Sequence, residues 1–491
     1  MALDVDPDEA HCCQKTLHNF RAKLMASEAD ALVFRSLTDR ILAALGVDIG
    51  KPRLDSTHIL SNIARLTRLG LFCETIRLFL STLKVESPQK FDSIPVTLRR
   101  RYLKDDGKET RFGDVPSKET RRRLAVCARD VWRLVDRFRG DGDVQKLEAY
   151  GLLERLLGDQ CDVVEAPVPG EEGDADISEP GAPVTVKEPK EVRPDSLQTP
   201  HDPDVTYSGH KGKGYEVQIA ETHGNENLPE IITHVEVTRS CDSDDQATIP
   251  TVEALAERKI QPEEMVADTT YGSTENVIEC GKRGTELVSP VAGSEAEPAK
   301  DGEMRKGDFA VDPKGEQKTT CPAGHAAARE ERNAERGTVR AFFDGNVCGM
   351  CDKRDACPAR KLIDGTHVLS TTEKRAVLEQ RRSYEKTSEF AERYAKRAGI
   401  EATNSELKRR HGLGRIRTRG SPRVRLAVYL KAAACNVKRM LVYLVNNAIN
   451  AAKEAPAPIQ GAARTMAHAL TSLYIAFLTA CRPPATPFAT T

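Results

Sequence analysis

The chain has 491 residues and a formal net charge of −1, so overall charge neither favours nor excludes a nucleic-acid partner and only local clusters are informative. Its length allows about two to four domains that each bury a core. It has no phosphate-binding GxxxxGK[ST] loop, no GxSxG elbow and no HExxH pair, and its 5 % aromatic content disfavours a single-strand-binding protein.

The N-terminus lacks a basic region followed by an apolar run and a cleavage site, which predicts a cytoplasmic protein in which most of the 13 cysteines are reduced. The most apolar stretch, Met466–Cys481, is short for a membrane span and contains His468. It is therefore expected to be a helix in an Ala/Pro-rich tail, and no membrane partner is predicted.

Helical periodicity runs through residues 8–47 and again from 62 to 157, where several segments are strongly basic and suit either DNA or the outer face of a bundle. Between them, Leu54 precedes Asp55 and small polar residues follow. This pattern fits either a short strand that ends in an exposed carboxylate or an Asp that caps a helix. Residues 160–200 are acidic and rich in Pro and Gly, which predicts a flexible linker.

From residue 215 onwards, apolar and polar residues alternate with a period of two. Residues 215–223 and 230–240 alternate apolar and polar side chains around a GNENLP turn, which predicts a β-hairpin. Residues 263–273 contain a short apolar strand that leads directly into Asp268, and the order of strands and helices predicts a mixed α/β sheet. An acidic cluster after the hairpin suits a turn or an alternative set of ligands: Asp242, Asp244 and Asp245.

A cysteine-rich stretch interrupts this pattern between residues 296 and 370. It contains a CxxC pair and two further cysteines: Cys321, Cys348, Cys351 and Cys357. In a reducing compartment this set predicts a tetrahedral zinc site that ties a loop-rich insertion together, with His325 as an alternative ligand. Unligated thiols are the competing interpretation.

The stretch 391–420 is predicted to be a long polar helix that runs into an arginine-rich loop, followed by an apolar helix over 421–452. Spacings of three, four and seven place one set of polar residues on one helical face: Tyr394, Arg397, Glu401 and Lys408. Such a face either helps to hold a metal ion beside a phosphate or is a solvated surface with ordinary charge pairs. A dense set of cations predicts contact with the DNA backbone: Lys408, Arg409, Arg410, Arg415, Arg417 and Arg419.

Three patches resemble those of DDE transposases of the bacterial insertion-sequence type. They are LDSTH at 54–58, VADTTYGS at 266–273, and the Tyr-Arg-Glu-Lys spacing over 394–408 with the HGLGRIRTRG that follows. DPDVTYSGHKGKGYEVQ at 202–218 resembles the DPDA-type element of that family. The resemblance implies an α/β fold with a ribonuclease-H-like mixed-sheet core, helical N-terminal and inserted regions and a small zinc-type insertion.

The resemblance also implies roles. The expected catalytic residues and ligands of two Mg²⁺ or Mn²⁺ ions are Asp55, Asp268 and Glu401. Arg397 and Lys408 are expected to contact phosphates or transposon ends, and Tyr394 to help position the strand. The expected activity is cleavage at the ends of an insertion element and transfer of the 3′-hydroxyl strand to target DNA. The expected partners are double-stranded DNA and, in the synaptic complex, a second copy of the chain, in a bacterial cytoplasm beside the nucleoid.

The predicted segments are 1–50, a helical DNA-binding region that is expected to be truncated; 51–61, the first catalytic strand; 62–157, a helical insertion; 158–200, the linker; 201–295, the catalytic core; 296–370, the Cys-rich insertion; 371–452, the Glu helix and a core helix; and 453–491, the tail. Two alternatives stay open. One is an inactive remnant that acts as a zinc-stabilised DNA-binding protein, and the other is a related hydrolytic nuclease.

Overall fold

A computed structural model describes residues 13–27, 29–64, 66–104, 111–113, 117–163, 184–292, 304–312, 315–333, 335–454 and 456–481. The helices are α1 (Gln14–Ala26), α2 (Asp30–Leu45), α3 (Arg68–Glu86), α4 (Pro88–Asp92), α5 (Val96–Tyr102), α6 (Ser117–Phe138), α7 (Gly142–Gln145), α8 (Glu148–Gln160), α9 (Thr248–Glu257), α10 (Thr274–Lys282), α11 (Gly345–Gly349), α12 (Glu373–Glu385), α13 (Ser388–Ala395), α14 (Gly399–Arg409), α15 (Ser421–Glu454) and α16 (Ala457–Cys481). The strands are β1 (Pro52–Ile59), β2 (Cys161–Val163), β3 (Val184–Val186), β4 (Thr206–Ser208), β5 (Gly212–Thr222), β6 (Ile232–Arg239), β7 (Glu264–Ala267), β8 (Glu286–Val288), β9 (Arg329–Asn333), β10 (Thr338–Phe343), β11 (Arg360–Lys361) and β12 (His367–Thr372).

A six-stranded sheet forms the centre of the fold, in the order β4–β5–β1–β7–β8, with β6 also paired to β5. β5 pairs antiparallel with both β1 and β6, whereas β7 and β8 continue the sheet parallel to β1. The predicted mixed α/β sheet is therefore confirmed, and the alternating segments form the hairpin β5–β6.

Apolar side chains cover both faces of this sheet. On one face, Val217 and Ile219 of β5 belong to a core that includes Leu407 of α14 and Val428 of α15. On the other face, Leu54 of β1 belongs to a core formed with α9, α10 and the segment after β7. Because β1 is central and covered on both sides, most of its residues are buried.

The position of Asp55 within β1 differs from the prediction. β1 is a strand, so the helix-cap interpretation is wrong, but Asp55 is the fourth of its eight residues and is only 8 % exposed. β1 continues past Asp55 because β5 pairs with it along its whole length, from Pro52 to Ile59. The ladder to β7, in contrast, pairs only Arg53 and Leu54 of β1. Asp55 thus lies at the end of the parallel ladder rather than at the end of the strand.

A helical subdomain of α3–α8 is inserted between β1 and β5 and has its own core. Part of the predicted flexible linker belongs to it. β3 pairs with β2, Val184 and Leu197 lie in the helical core, and residues 196–200 are all buried. These apolar side chains outweigh the Pro/Gly-rich, acidic composition of the segment, so the linker prediction is wrong for 184–200. Residues 164–183 lie outside the described residues.

A second, four-stranded sheet, in the order β11–β12–β10–β9, forms the Cys-rich module between β8 and α12. Its core includes Phe309, Phe343 and Leu369. The module therefore has strands and an apolar core, in addition to the loops that the sequence indicated.

The helix predicted from residue 391 is interrupted. α13 ends at Ala395, a 3₁₀ turn covers Lys396–Ala398, and α14 begins at Gly399. The helix expected over Met466–Cys481 forms the second part of α16, which begins at Ala457 and packs on α15. No helix among the described residues is long and apolar enough to cross a membrane.

Candidate active site

Strand register places Asp55 and Asp268 side by side. In the parallel ladder, Arg53 is opposite Val266 and Leu54 is opposite Ala267. The next residue after each strand pair is an aspartate, Asp55 after Leu54 and Asp268 after Ala267. Neighbouring strands lie about 4.8 Å apart, and equivalent positions in a parallel pair point to the same side. The two carboxylates therefore approach each other because the strands fix their backbones.

Glu401 reaches the same place from α14. Arg53 lies beneath the start of this helix, and its Nη1 donates a 2.9 Å hydrogen bond to the carbonyl of Lys396. A Cβ atom at Gly399 would lie 2.0 Å from that guanidinium, so only glycine lets the backbone come this close. Arg53 and Gly399 together set the distance of α14 from the sheet, and Glu401 lies in the first turn of α14.

Arg397 joins the three acids. Its Nη2 lies 3.3 Å from Asp55 Oδ1 and 3.8 Å from Asp268 Oδ2, and its Nη1 lies 3.3 Å from Glu401 Oε1. Two oxygens that contact the same nitrogen at those distances are at most about 7 Å apart. We call Asp55, Asp268, Glu401 and Arg397 the acid cluster. The side chains of its acids are 11 %, 31 % and 68 % exposed in that order, so the cluster opens to solvent on the Glu401 side.

The acid cluster is short of positive charge. Burial raises the pKa of Asp55; the charge of Arg397 opposes this shift and the charge of Asp268 adds to it. An elevated carboxyl pKa means that the negative charge at Asp55 is incompletely compensated. Carboxylate oxygens that converge in this way match the ligand preference of Mg²⁺ and Mn²⁺, so the donor set fits divalent ions.

The turn that carries Asp268 is braced from behind. Ser289 Oγ donates to the Asp268 carbonyl at 2.8 Å, and Arg381 donates to the carbonyls of Gly272 and Ser289 at 2.7 and 3.0 Å. A Cβ atom at Gly272 would lie 1.9 Å from Ser289 Oγ. The strand ends after β7 and β8 are thus held together by hydrogen bonds, and Asp268 is held with them.

Sequence reasoning missed Asn404, which donates from Nδ2 to Asp55 Oδ2 at 3.1 Å. Asn404 follows Glu401 by three residues and therefore shares its helical face, which is a signal that the sequence contains. It also missed Arg381, for which we identify no comparable signal in the sequence.

A second ionic cluster lies near the first, and it is balanced. We call the following residues the Glu221 cluster: Arg53, Glu221, Glu230, Glu406, Lys438 and Arg439. The side chain of Glu221 is 0 % exposed and lies 2.7 Å from Arg53 and 3.0 Å from Arg439. Arg439 also lies 3.0 Å from Glu406, which is 2.5 Å from Lys438. Thr403 of α14 donates to Glu221 at 2.5 Å, so this cluster attaches α14 to β5 and α15.

Among the described residues, neither Tyr394 nor Lys408 makes a hydrogen bond with the acid cluster. The Tyr394 ring stacks on Phe390, with centroids 5.5 Å apart, and packs in a small core with Val266 and Val288. Lys408 is exposed at the end of α14. The predicted polar face therefore divides: Arg397 and Glu401 enter the cluster, and Tyr394 is partly a packing residue.

The arginine-rich loop is anchored by its backbone. Ile416 N donates to the Leu60 carbonyl at 2.7 Å, and Asn62 N donates to the Thr418 carbonyl at 3.1 Å, so the loop extends alongside the chain that leaves β1. Its cations and those at the end of α14 are exposed: Lys408, Arg409, Arg410, Arg415, Arg417 and Arg419. A set of exposed cations on a fixed backbone is suited to bind a polyanion.

The cysteines of the module come together. Cys321, Cys348, Cys351 and Cys357 line one small cavity of about 30 Å³, together with His325. Burial and the neighbouring thiols of Cys357, Cys321 and Cys351 raise the pKa of Cys348. Four thiols around one cavity fit a zinc ion in ligand type and number. In the part of the chain that the structure describes, however, the one set of three candidate ligand atoms within 4.8 Å of one another lies elsewhere.

That other set is Glu406, His411 and Cys435. Glu406 is already paired with Lys438 and Arg439, and Lys431 donates to the His411 carbonyl. Cations so close to the three atoms oppose the binding of a metal ion.

The three acidic residues that follow the hairpin, Asp242, Asp244 and Asp245, are separate from the acid cluster. Asp244 accepts hydrogen bonds from Ser56 and Gln218, and Ser56 alternates with Asp55 along β1 and so faces the other side of the sheet.

Part of the chain matches a known protein family. Residues 320–441 match the family model described as Transposase DDE domain. The matched region includes the acid-cluster residues Arg397 and Glu401 and the arginine-rich loop, and it supports a DDE transposase. It does not reach Asp55 or Asp268.

One solved structure is similar, the cryo-EM structure of piggyBac transposase synaptic complex with hairpin DNA. It is 11 % identical over 85 % of this chain and 78 % of that chain, with a TM-score of 0.23, which is too low to support an argument about fold or function. The search of curated proteins returned no match.

Proposed function

We propose that the chain is a DNA transposase of the DDE type, which cleaves phosphodiester bonds at the ends of an insertion element and joins the freed 3′-hydroxyl to target DNA. The observation that carries the proposal is the convergence of Asp55, Asp268 and Glu401 on Arg397. These residues come from two strands and a helix that are distant in sequence. The family match over 320–441 is an independent source of support.

A ribonuclease-H-like core is part of this proposal. Three antiparallel strands, with two parallel strands beside the first of them, support it. On this view the catalytic core consists of β1, residues 201–295 and residues 371–452, with the helical subdomain and the Cys-rich module as insertions.

Asp55, Asp268 and Glu401 are the residues that would hold two Mg²⁺ or Mn²⁺ ions. Bound ions of this kind supply Lewis-acid activation of the attacking oxygen and stabilise the leaving oxygen. Asp55 lies on β1, Asp268 lies on the braced turn directly after β7, and Glu401 closes the set from the solvent side. Arg397 has room to exchange a carboxylate partner for a phosphate oxygen, because its interactions are long for charged hydrogen bonds.

The exposed cations from Lys408 to Arg419 are proposed to hold the backbone of double-stranded DNA, with Tyr394 positioned to support the strand. The four cysteines are proposed to bind one structural zinc ion, which would close the Cys-rich module. Assembly as a homodimer on paired DNA ends and residence at a bacterial nucleoid are further parts of the proposal.

The test is a joining assay on the full chain. Duplexes cut from the genomic DNA that flanks the coding sequence are incubated with a supercoiled target plasmid and Mg²⁺, and nicked and joined products are separated on gels. We expect joined products from the wild type and a loss of at least about 10³-fold in Asp55→Asn, Asp268→Asn and Glu401→Gln. A matched control is Asp242→Asn, whose carboxylate pairs with Arg239 away from the acid cluster.

The alternatives predict different outcomes. A hydrolytic nuclease would give Mg²⁺-dependent nicks without joined product. A zinc-stabilised DNA-binding remnant would retain DNA but show no chemistry, and the three substitutions would change nothing measurable. Joined product that persists in all three variants would contradict the proposed site.

A further inference from the structure

Asn404 contacts the acid cluster and donates a hydrogen bond to one oxygen of Asp55. Its Nδ2 contacts Asp55 Oδ2 at 3.1 Å, while Arg397 contacts Oδ1 at 3.3 Å. An ionised carboxylate only accepts hydrogen bonds, so the amide must present its NH₂ group to Asp55. This fixes the direction of the other polar atom of Asn404, the Oδ1 oxygen.

That Oδ1 oxygen is buried and has no hydrogen-bond partner among the residues that the structure describes. Buried acceptors are nearly always paired, so an unpaired one needs an explanation. The three acids cannot pair with it, because they too are acceptors. The Nε atom of Arg397 is a buried donor without a partner in the same cluster. One unmet acceptor and one unmet donor thus belong to neighbouring side chains of the site.

The two groups that react in phosphodiester cleavage supply both missing partners. The O–H group of the attacking hydroxyl donates a hydrogen bond, and the phosphate under attack offers acceptor oxygens. We propose that Asn404 Oδ1 accepts the hydrogen bond of the attacking hydroxyl, water in cleavage and the 3′-hydroxyl in joining, while Asn404 Nδ2 holds Asp55. This inference rests on the proposed function and adds a fifth side chain, Asn404, to Asp55, Asp268, Glu401 and Arg397.

The chemistry balances without Asn404 as a base. The attacking oxygen forms a bond to phosphorus, the bond from phosphorus to the leaving 3′ oxygen breaks, and the leaving oxygen is protonated from water as the nucleophile gives its proton to water. An amide oxygen is too weakly basic to take that proton, so Asn404 acts by orienting the O–H group. Its position one helical turn after Glu401 puts it on the same side of α14 as that carboxylate.

The test uses Asn404→Ala, which loses both polar atoms, and Asn404→Asp, which keeps an oxygen in the place of Oδ1 but loses the donor to Asp55. The matched control is Asn447→Ala, an exposed asparagine on α15. Single-turnover cleavage and joining are measured on the flanking-DNA duplexes across a Mg²⁺ series. Binding of Mn²⁺ by isothermal titration and the thermal unfolding temperature are measured on the same proteins.

We expect Asn404→Ala to lose about 10²-fold in rate at saturating Mg²⁺, Asn404→Asp to lose less, and Asn447→Ala to match the wild type. The unfolding temperature of Asn404→Ala should change little, because removal of the unpaired buried acceptor offsets the loss of the hydrogen bond to Asp55. The inference is overturned if the rate of Asn404→Ala recovers fully at saturating Mg²⁺, or if Asn404→Asp is the slower variant, since either result means that the amide only positions Asp55.

Failure of the proposed function looks different. A wild type that binds Mn²⁺ through Asp55 yet neither cleaves nor joins DNA removes the transposase proposal, and with it the attacking hydroxyl. A wild type that is active, beside an Asn404→Ala variant that equals Asn447→Ala in every measurement, removes only the role given to Asn404.

Discussion

The acid cluster and the Glu221 cluster lie on the same side of one sheet, and each is built from carboxylates and cations. In the Glu221 cluster, three carboxylates are matched by three cations, and its central acid is fully buried. In the acid cluster, three carboxylates share a single guanidinium at 3.3 to 3.8 Å. The first cluster is electrically complete, and the second has capacity for further positive charge.

This difference separates a scaffold from a site. A buried ion pair whose partners are all present resists change, because removal of one member leaves an uncompensated charge. A cluster with excess negative charge, by contrast, gains from binding a cation, and perturbed carboxyl pKa values are typical of functional sites. The Glu221 cluster holds α14 in place, and the acid cluster uses that placement.

The largest difference in stability between the two clusters is expected for a substitution at Glu221. In Glu221→Gln, the buried Arg53 and the partly buried Arg439 lose a charge partner, so we expect the free energy of unfolding to fall by about 3–5 kcal/mol. Asp55→Asn removes a carboxylate from the cluster that has too many, and we expect a change of less than about 1 kcal/mol. Urea unfolding at pH 7.5 checks both variants. Equal losses would mean that charge balance does not distinguish the clusters.

Removal of Arg397, the cation that the three acids share, tests whether the acid cluster binds a metal ion. In Arg397→Met the three acids repel one another, so the unfolding temperature should fall in a chelating buffer and recover when Mg²⁺ is added. Saturation at 100 times the dissociation constant corresponds to about 2.7 kcal/mol of stabilisation. Differential scanning calorimetry with and without Mg²⁺ measures the recovery.

Arg393→Met is the matched control for that experiment. Arg393 lies one helical turn before Arg397 and pairs with Glu264 and Glu286 at 2.8 and 2.6 Å, outside the acid cluster. Its loss should destabilise the protein without recovery in Mg²⁺. If Mg²⁺ restores both variants equally, the ion does not act at the acid cluster.

The resemblance to DDE transposases implied that these acids meet, and local patterns marked two of them as candidates. Asp268 follows a short apolar strand, and Glu401 lies on a helical face with Arg397. What the sequence could not supply is the register that aligns Asp55 with Asp268, since that depends on a parallel ladder between segments more than 200 residues apart. For the same reason it misplaced Asp55 at the end of a strand, because pairing with β5 is what extends β1.

Other errors have a similar physical cause. The helix through residue 391 carries a continuous polar pattern, but the guanidinium of Arg53 requires close approach at Gly399, and the helix is interrupted just before that residue. A polar residue on the buried face of β5, Glu221, was a visible exception to the alternation of that strand, and its meaning depended on Arg53 and Arg439. Segment 184–200 was judged by composition, although Val184 and Leu197 have a core to enter.

A neutral histidine at the edge of the Glu221 cluster makes stability depend on pH. Burial lowers the pKa of His411 to about 4, with nearby cations contributing and Glu406 opposing. A folded-state pKa below the unfolded value of about 6.5 stabilises the native state above pH 6.5, and that stabilisation is lost as the pH falls towards 4. We expect a loss of about 2 kcal/mol between pH 7.5 and 5.

Urea unfolding at the two pH values tests the effect of His411. His411→Asn should remove most of this pH-dependent difference, whereas His210→Asn, at an exposed position, should retain it. An unchanged pH dependence in His411→Asn would show that other groups are responsible.

The smallest expected effect concerns the cations outside both clusters. Arg409 is exposed at the C-terminal end of α14, and its contribution to DNA binding should be one phosphate contact. Arg409→Ala should weaken binding to duplexes of any sequence by about 1 kcal/mol and reduce the slope of log affinity against log salt by about 1. Arg139→Ala, an exposed arginine of the helical subdomain, should leave the slope unchanged. Fluorescence anisotropy over a salt series measures both slopes, and a loss that depends on sequence in place of salt would mean that Arg409 contacts bases rather than the backbone.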